Sequence, residues 1–371
     1  MNSRDRVFTA LRHQEPDRVA IDYWASSEVN AMLLRHFHFS SQEELLNHFN
    51  VDFRYLAGPA YIGPKLPVHP DGSMNDHFGV PRKTVTYGTG TAKGTYQEVT
   101  EYPLAQAVSV DEIESYPHWP SAEWFDYKCV RQQARQAYEK EKVVVFMGDR
   151  LNRCAQLKPA MYVRGVEQIL MDTLLNPEIA QAIFARIAQF YVRYCELVLE
   201  AGDGKIDILF TGDDFGTQTN TFLSLDTWRR FLQPGFKNFI DIGHRYKCLV
   251  AHHTCGSIYP LISDFIDCGL DILNPLQPEV ENLDQQRVKQ EFGKKLSFHG
   301  GISIQSTMPK GSPHDVMNEV KKCFTSLAPQ GGYIFCTAHN LQIDTPLDNI
   351  IALFQAYLDH GRYQQVQTSS S

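Results

Sequence analysis

Eight apolar runs, spaced by helical and polar stretches, constrain this chain more than any other feature. Residues 19–24, 52–57, 143–148, 206–212, 248–253, 271–275, 296–299 and 333–337 read as buried strands. Between and after the later runs lie amphipathic helical patterns over 177–201, 225–243, 315–327 and 347–360. Strands buried on both faces and alternating with helices belong to parallel sheets, and eight such units predict a closed (β/α)8 barrel of the α/β class. An N-terminal helical extension over about 3–13 precedes the first strand, and Pro16-Asp17 turns the chain after it.

The rhythm breaks over about 61–120. There, residues 84–87 and 95–100 flank Gly88-Thr89-Gly90, which predicts a β-hairpin insertion over the barrel mouth rather than a separate domain. Residues 1–363 are therefore expected to form a single barrel domain, followed by a polar, Ser-rich, disordered tail over 364–371. A length of 371 residues suits one barrel with insertions. The net charge of -8 argues against nucleic acid or an anionic membrane as a partner. Neither a signal peptide nor a membrane-spanning run is apparent, so a cytoplasmic protein is expected. The eight cysteines are scattered without a Cys-x-x-Cys pair, as expected of mostly buried thiols rather than a disulfide framework.

In a barrel of this kind, chemistry resides where strands end and loops begin. The polar residues cluster at those places: Asp213 and Asp214 after the fourth run, His253-Thr254-Cys255 after the fifth, Asn274, Gln277 and Glu279 after the sixth, His299 after the seventh and His339 after the eighth. Side chains two apart on a strand share a face, so His253 and Cys255 converge with a spacing that suits a metal, while His252 faces away. Imidazole and thiolate together favour zinc, and three protein ligands leave a position open for catalysis. Cys336 lies an odd number of residues from His339, so both cannot face inward from a regular strand, and the loop-level His339 is preferred as the third ligand. The adjacent Asp213 and Asp214 diverge, so only one is expected to reach the mouth while the other caps a turn. Asp213, Asp214 and His299 are the candidate catalytic groups. Trp24, Asn274, Gln277 and Glu279 are the candidate substrate contacts.

Several of these segments, taken together, resemble the uroporphyrinogen decarboxylase superfamily. They are Arg4-Asp5-Arg6-Val7, Leu11-Arg12-His13-Gln14-Glu15-Pro16-Asp17-Arg18-Val19, Gly212-Asp213-Asp214-Phe215-Gly216-Thr217-Gln218, His253-Thr254-Cys255-Gly256-Ser257, Phe298-His299-Gly300-Gly301-Ile302 and Asp344-Thr345-Pro346. The resemblance spans nearly the whole chain and implies the same barrel. The decarboxylase branch carries an arginine-rich N-terminal segment for porphyrinogen carboxylates. Here Asp22-Tyr23-Trp24-Ala25-Ser26-Ser27 stands in its place, so uroporphyrinogen is not expected as a substrate. The cobalamin-dependent methyltransferase branch holds zinc by a His-x-Cys motif and a later cysteine. His253 and Cys255 match the first two positions, and His339 departs from the third. The resemblance thus implies a zinc-dependent methyltransferase-like enzyme that moves a methyl group between a small-molecule substrate and a corrinoid, with the corrinoid free or carried on a partner protein. Replacing a thiolate ligand by imidazole removes a negative charge, which makes a harder oxygen substrate conceivable as well as a thiol. Two other readings stand beside this one: a decarboxylase or lyase of the same superfamily acting on a non-porphyrin substrate, and a non-enzymatic metal- or corrinoid-binding protein.

Overall fold

All eight anticipated strands form. They are β1 (Ala20–Ile21), β2 (Phe53–Tyr55), β3 (Val143–Phe146), β4 (Ile208–Gly212), β5 (Leu249–His253), β6 (Ile272–Asn274), β7 (Ser297–His299) and β8 (Tyr333–Phe335). The computed structural model describes residues 1–89, 92–149 and 153–363; Gly90 of the expected hairpin turn and the tail 364–371 lie outside the described residues. The eight strands make one sheet in the order β1-β8-β7-β6-β5-β4-β3-β2, which is the order of a (β/α)8 barrel. Every residue of β3 and β4 is buried, as expected of parallel strands covered on both faces. Within the described residues, no helix is long and apolar enough to cross a membrane.

Two compact units are distinguished along the chain. The first comprises residues 1–53, 141–143 and 271–371, the second residues 54–140 and 144–270. In the first unit β8 pairs in parallel with β1 and β7, with Ile334 opposite both Ala20 and His299. The N-terminal helix Ser3–Leu11 is capped by the Asn2 side chain and ends before His13, whose backbone is left-handed. Its Arg6 donates to both Asp17 and the fully buried Asp52, while Arg18 donates to Asp52 at 2.9 Å. Asp52 also accepts from the Ile21 backbone at 3.0 Å. The N-terminal Arg-Asp-Arg and Pro-Asp-Arg segments therefore serve as an electrostatic clasp on β1, because a buried carboxylate persists only where charges and N–H groups surround it.

In the second unit β4 pairs with β3 and β5, and Gly212 stands opposite His253 at the carboxyl ends. The insertion contains an antiparallel hairpin of Pro81–Thr89 with Ala92–Val99, extended by Met74–Asn75. It is longer than the strand pattern anticipated. The helix expected over 225–243 is two helices, Leu225–Phe231 and Gln233–Arg245. Pro234 is responsible, since proline offers no N–H and crowds the preceding turn but suits the start of a new helix. The sulfur atoms of Cys154 and Cys195 approach each other, and the other six cysteines have no disulfide partner among the described residues.

His77 lies in the second unit among Phe78, Phe125 and Phe190, with its Nε2 buried and without a partner among the described residues. Burial pushes its imidazole down to about 4, against the pull of Asp76 and Asp149. A histidine depressed on folding adds stability above its unfolded pKa of about 6.5, and that stability is lost as pH falls through the folded value. Denaturation midpoints should therefore decline between about pH 6.5 and 4, by a contribution on the order of 3 kcal/mol from this residue. A His77→Phe variant, followed by urea unfolding across that range, should show a shallower decline than the parent.

Candidate metal centre

The described residues contain two tight groups of ligand-type side chains, one in each unit: Asp214, His253 and Cys255, and Asp22, His299 and Cys336. In each group the ligand atoms lie within 4.8 Å of one another.

The first group sits where β4 and β5 end. His253 is the last residue of β5, and Cys255 follows two positions later on the same face, bringing Sγ to 3.4 Å from His253 Nε2. The loop after β4 delivers the two aspartates to opposite tasks. Asp213 is buried and accepts from the backbone N–H groups of Gln156, Leu157 and Lys158 at 2.7, 2.5 and 2.8 Å, at the start of the helix Leu157–Arg164. Burial pushes its carboxyl up to about 6 even against those three donors. Asp214 instead faces the pair: its Oδ1 accepts from the Cys255 backbone at 3.0 Å and lies 3.7 Å from His253 Nε2, and its other oxygen is ion-paired with Lys158. Burial alone would raise its carboxyl, but His253 and Lys158 outweigh burial and hold it well below the usual carboxylate range. His252 points the other way, stacked on Phe215 with Nδ1 against the Thr211 hydroxyl.

Two glycines let the loops meet. A Cβ on Gly256, at φ +95°, would stand 2.4 Å from the Gly216 backbone, and one on Gly216 would stand 2.7 Å from Ser257 N. The loop Gly212-Asp213-Asp214-Phe215-Gly216 and the loop His253-Thr254-Cys255-Gly256-Ser257 pass at backbone contact. Phe215 N donates to Thr254 Oγ1, and Ser257 N to Thr217 O. The glycines thus set the separation at which Asp214 meets Cys255.

The donor set fits zinc. With Zn–N of about 2.05 Å and Zn–S of about 2.3 Å in tetrahedral geometry, the two ligand atoms stand about 3.6 Å apart. The observed 3.4 Å between Nε2 and Sγ is close to this value.

The second group is organised differently. His299 Nε2 meets Asp22 at 2.9 Å, Nδ1 meets the Asn274 amide at 2.7 Å, and Trp24 packs on the ring at 5.2 Å. All of these residues are buried, and burial raises the Cys336 thiol well above its ordinary value. Both nitrogens of His299 are already engaged, which makes this a hydrogen-bonded cluster rather than an open metal site. The structure therefore gathers His299, Asn274 and Trp24, with Asp22 and Cys336 added. Gln277 is buried nearby in sequence. Glu279 lies elsewhere, accepting from the Ser303 hydroxyl beside a cavity of about 420 Å³ that Glu319 also lines. Neither metal-type group includes His339, whose Nδ1 accepts from the Asn340 backbone at 2.8 Å, so any ligand role falls to its Nε2. Lys158 and Arg153, which stand beside the first group, carry no strand-end signal in the sequence.

Residues 85–360 match the family described as Uroporphyrinogen decarboxylase (URO-D). The chain belongs to the uroporphyrinogen decarboxylase family. Over 197 residues this URO-D family chain is 26% identical to a methylated-thiol–coenzyme M methyltransferase of Methanosarcina mazei, covering 53% of this chain and 49% of that protein. Over 166 residues it is 27% identical to the methylcobamide:CoM methyltransferase MtaA of Methanosarcina barkeri, covering 44% of each. The matches thus span about half the length of these relatives. A solved structure of a methyltransferase from Methanosarcina mazei superposes with a TM-score of 0.64 at 17% identity, over 97% of this chain and 99% of that one. That likeness concerns the fold, and it agrees with the barrel.

Proposed function

We propose that this URO-D family protein is a corrinoid-linked methyltransferase, moving a methyl group between a small-molecule substrate and a corrinoid, free or carried on a partner protein. The observation that carries the reading is the Asp214, His253 and Cys255 group, which has zinc-type donors at the end of β5 in a chain whose relatives bear methyltransferase names. His253 and Cys255 would hold zinc, and either Asp214 or the sequence-expected His339 would serve as third ligand. Bound zinc supplies Lewis acidity, lowering the pKa of a thiol or alcohol acceptor so that its anion exists at neutral pH.

The residues of the chain divide the remaining work. Asp214 would either complete the zinc shell or balance charge beside it, since one of its oxygens lies 3.7 Å from His253 Nε2 and accepts from the Cys255 backbone. Lys158 fixes one Asp214 oxygen and leaves the other toward His253 and the Cys255 backbone. Asp213 anchors the helix Leu157–Arg164 that carries Lys158. In the thiol direction the acceptor gains the methyl group as a thioether, the Co–C bond pair stays on cobalt, and the thiol proton passes to solvent.

The test is to incubate metal-loaded protein with methylcobalamin and a panel of thiols, methoxy compounds and methylamines, in both directions, with products identified by mass spectrometry. A methylated or demethylated product that needs the protein supports the reading. Carbon dioxide release from a small carboxylate without methyl transfer would favour the lyase reading, and bound zinc without turnover of any kind would favour a binding protein.

A further inference from the structure

The helix Val166–Leu175 in the second unit reverses the usual order of a surface helix, which buries its apolar stripe and exposes its acids. Here Ile169, Asp172 and Thr173 point inward, while Val166, Met171, Leu174 and Leu175 are exposed, the two leucines by 72% and 66%. Polar bonds fix that orientation. Asp172, fully enclosed, accepts from Arg164 Nε at 2.7 Å and from the side-chain amides of Gln168 and Asn176 at 2.9 Å each. Arg164 is buried as well and donates to the backbone carbonyls of Leu104 and Ala107. Turning the helix to bury its leucines would break this network and leave a buried guanidinium without its carboxylate. The same bonds hold the segment 102–108 beside the helix, and there the Tyr102 ring stands 3.5 Å from where a Cβ on Gly165 would be, with Val108 exposed beyond it. The apolar face therefore continues past the helix.

From this geometry we infer that the face of Tyr102, Val108, Val166, Met171, Leu174 and Leu175 pairs with the same face of a second copy of this chain. The six side chains expose on the order of 600 Å², the upper end of what a monomer leaves open. Two such faces bury about 1,200 Å² in total, where specific interfaces begin. A second copy supplies a patch of matching size and chemistry by symmetry, and two-fold pairing of one surface with itself is the commonest assembly of soluble chains. Other occupants fit less well. The helix carries no lysine or arginine, its exposed charge is Glu167, and the chain bears a net charge of -8, so an anionic membrane or a nucleic acid is repelled. Residues 364–371 contain a single apolar side chain, Val366, which is too little to cover the face.

Sedimentation velocity of the full chain over a range of concentrations tests the pairing. The parent should exchange between monomer and dimer with a micromolar Kd, as befits an interface of this size. Added salt should tighten the dimer, because it screens the repulsion between two acidic chains and leaves apolar burial in force. Leu174→Glu and Leu175→Lys should each weaken the dimer at least about tenfold, with the urea midpoint of the monomer unchanged, since both leucines are already exposed there. Leu358→Glu, at an exposed position of the helix Leu347–His360, should leave the dimer intact. A second arm places single cysteines at Val166, Met171 and Leu174 and treats each with a short bismaleimide. At least one should give a covalent dimer, beyond any formed by the parent or by Leu358→Cys. A parent that stays monomeric up to about 1 mM, or a dimer that both leucine substitutions leave unchanged, would overturn the inference. So would a monomeric parent that binds phosphatidylcholine vesicles and loses them in Leu174→Glu, because the face would then be a lipid contact.

Discussion

Cys255→Ala should strip the centre of its metal and its activity together. The Cys255 sulfur is the softest donor of the Asp214, His253 and Cys255 group and stands 3.4 Å from the imidazole that would share the metal with it. Loss of a surrounding partner of a metal ligand costs about 10–100-fold in affinity or activity, so loss of a ligand itself should cost at least about 100-fold. Zinc content, near one per chain in the parent, should fall to background in the purified variant. The fold should persist, since Cys255 is only partly buried and its backbone bond to Asp214 does not involve sulfur. Cys336→Ala should retain metal, because that sulfur lies with Asp22 and His299. Parallel metal analysis of His339→Ala and Asp214→Asn identifies the third ligand as whichever variant lowers zinc content. Full zinc occupancy in Cys255→Ala would refute the site.

Substitution of the two neighbouring aspartates should produce opposite failures. Asp213 satisfies three consecutive backbone N–H groups at the start of the helix Leu157–Arg164, and it is fully enclosed. An asparagine keeps one acceptor oxygen and turns an N–H₂ toward at least one of those donors, leaving buried donors unpaired. Asp213→Asn should cost about 3 kcal/mol at neutral pH, read as a shift in the urea midpoint. Asp214→Asn preserves shape but breaks the ion pair with Lys158, so stability should fall by a smaller amount, on the order of 1 kcal/mol. Turnover should drop by about 10–100-fold, as for other groups that orient a metal ligand. Similar, mild effects from both changes would return the pair to an ordinary loop.

The barrel was legible because its signals are local. Apolar runs bounded by polar loops mark buried strands whatever the partner strand is, and all eight runs became strands, though shorter than their apolar extents. The pairing of His253 with Cys255 was legible for the same reason, since the two-residue period of a strand needs no tertiary knowledge. Strand period also foretold that Asp213 and Asp214 would diverge, but not which would face Cys255. That choice depends on the helix start at residues 156–158, far away in sequence. Arg153 and Lys158 were invisible for a related reason: they follow a loop rather than end a strand, and only the packing over Gly212 and the ion pair with Asp214 reveal them. The break at Pro234 was written in the chain, but the amphipathic pattern continues across it and concealed the restart. The N-terminal arginines were read only as part of a resemblance, whereas their contacts with Asp52 give them a structural task.

The central claim is that metal at the His253 and Cys255 pair enables methyl exchange with a corrinoid. Its most direct test is the visible absorbance of methylcobalamin mixed anaerobically with a thiol acceptor and the protein, zinc-loaded or stripped by chelation. The account predicts conversion of the methylcobalamin spectrum to that of the cob(I)alamin form with the zinc-loaded parent, no conversion with the stripped protein or with Cys255→Ala, and recovery when zinc is returned to the stripped parent. An unchanged spectrum with folded, zinc-loaded protein across free cobalamin and every corrinoid protein and acceptor tried, or equal conversion with and without zinc, would contradict it.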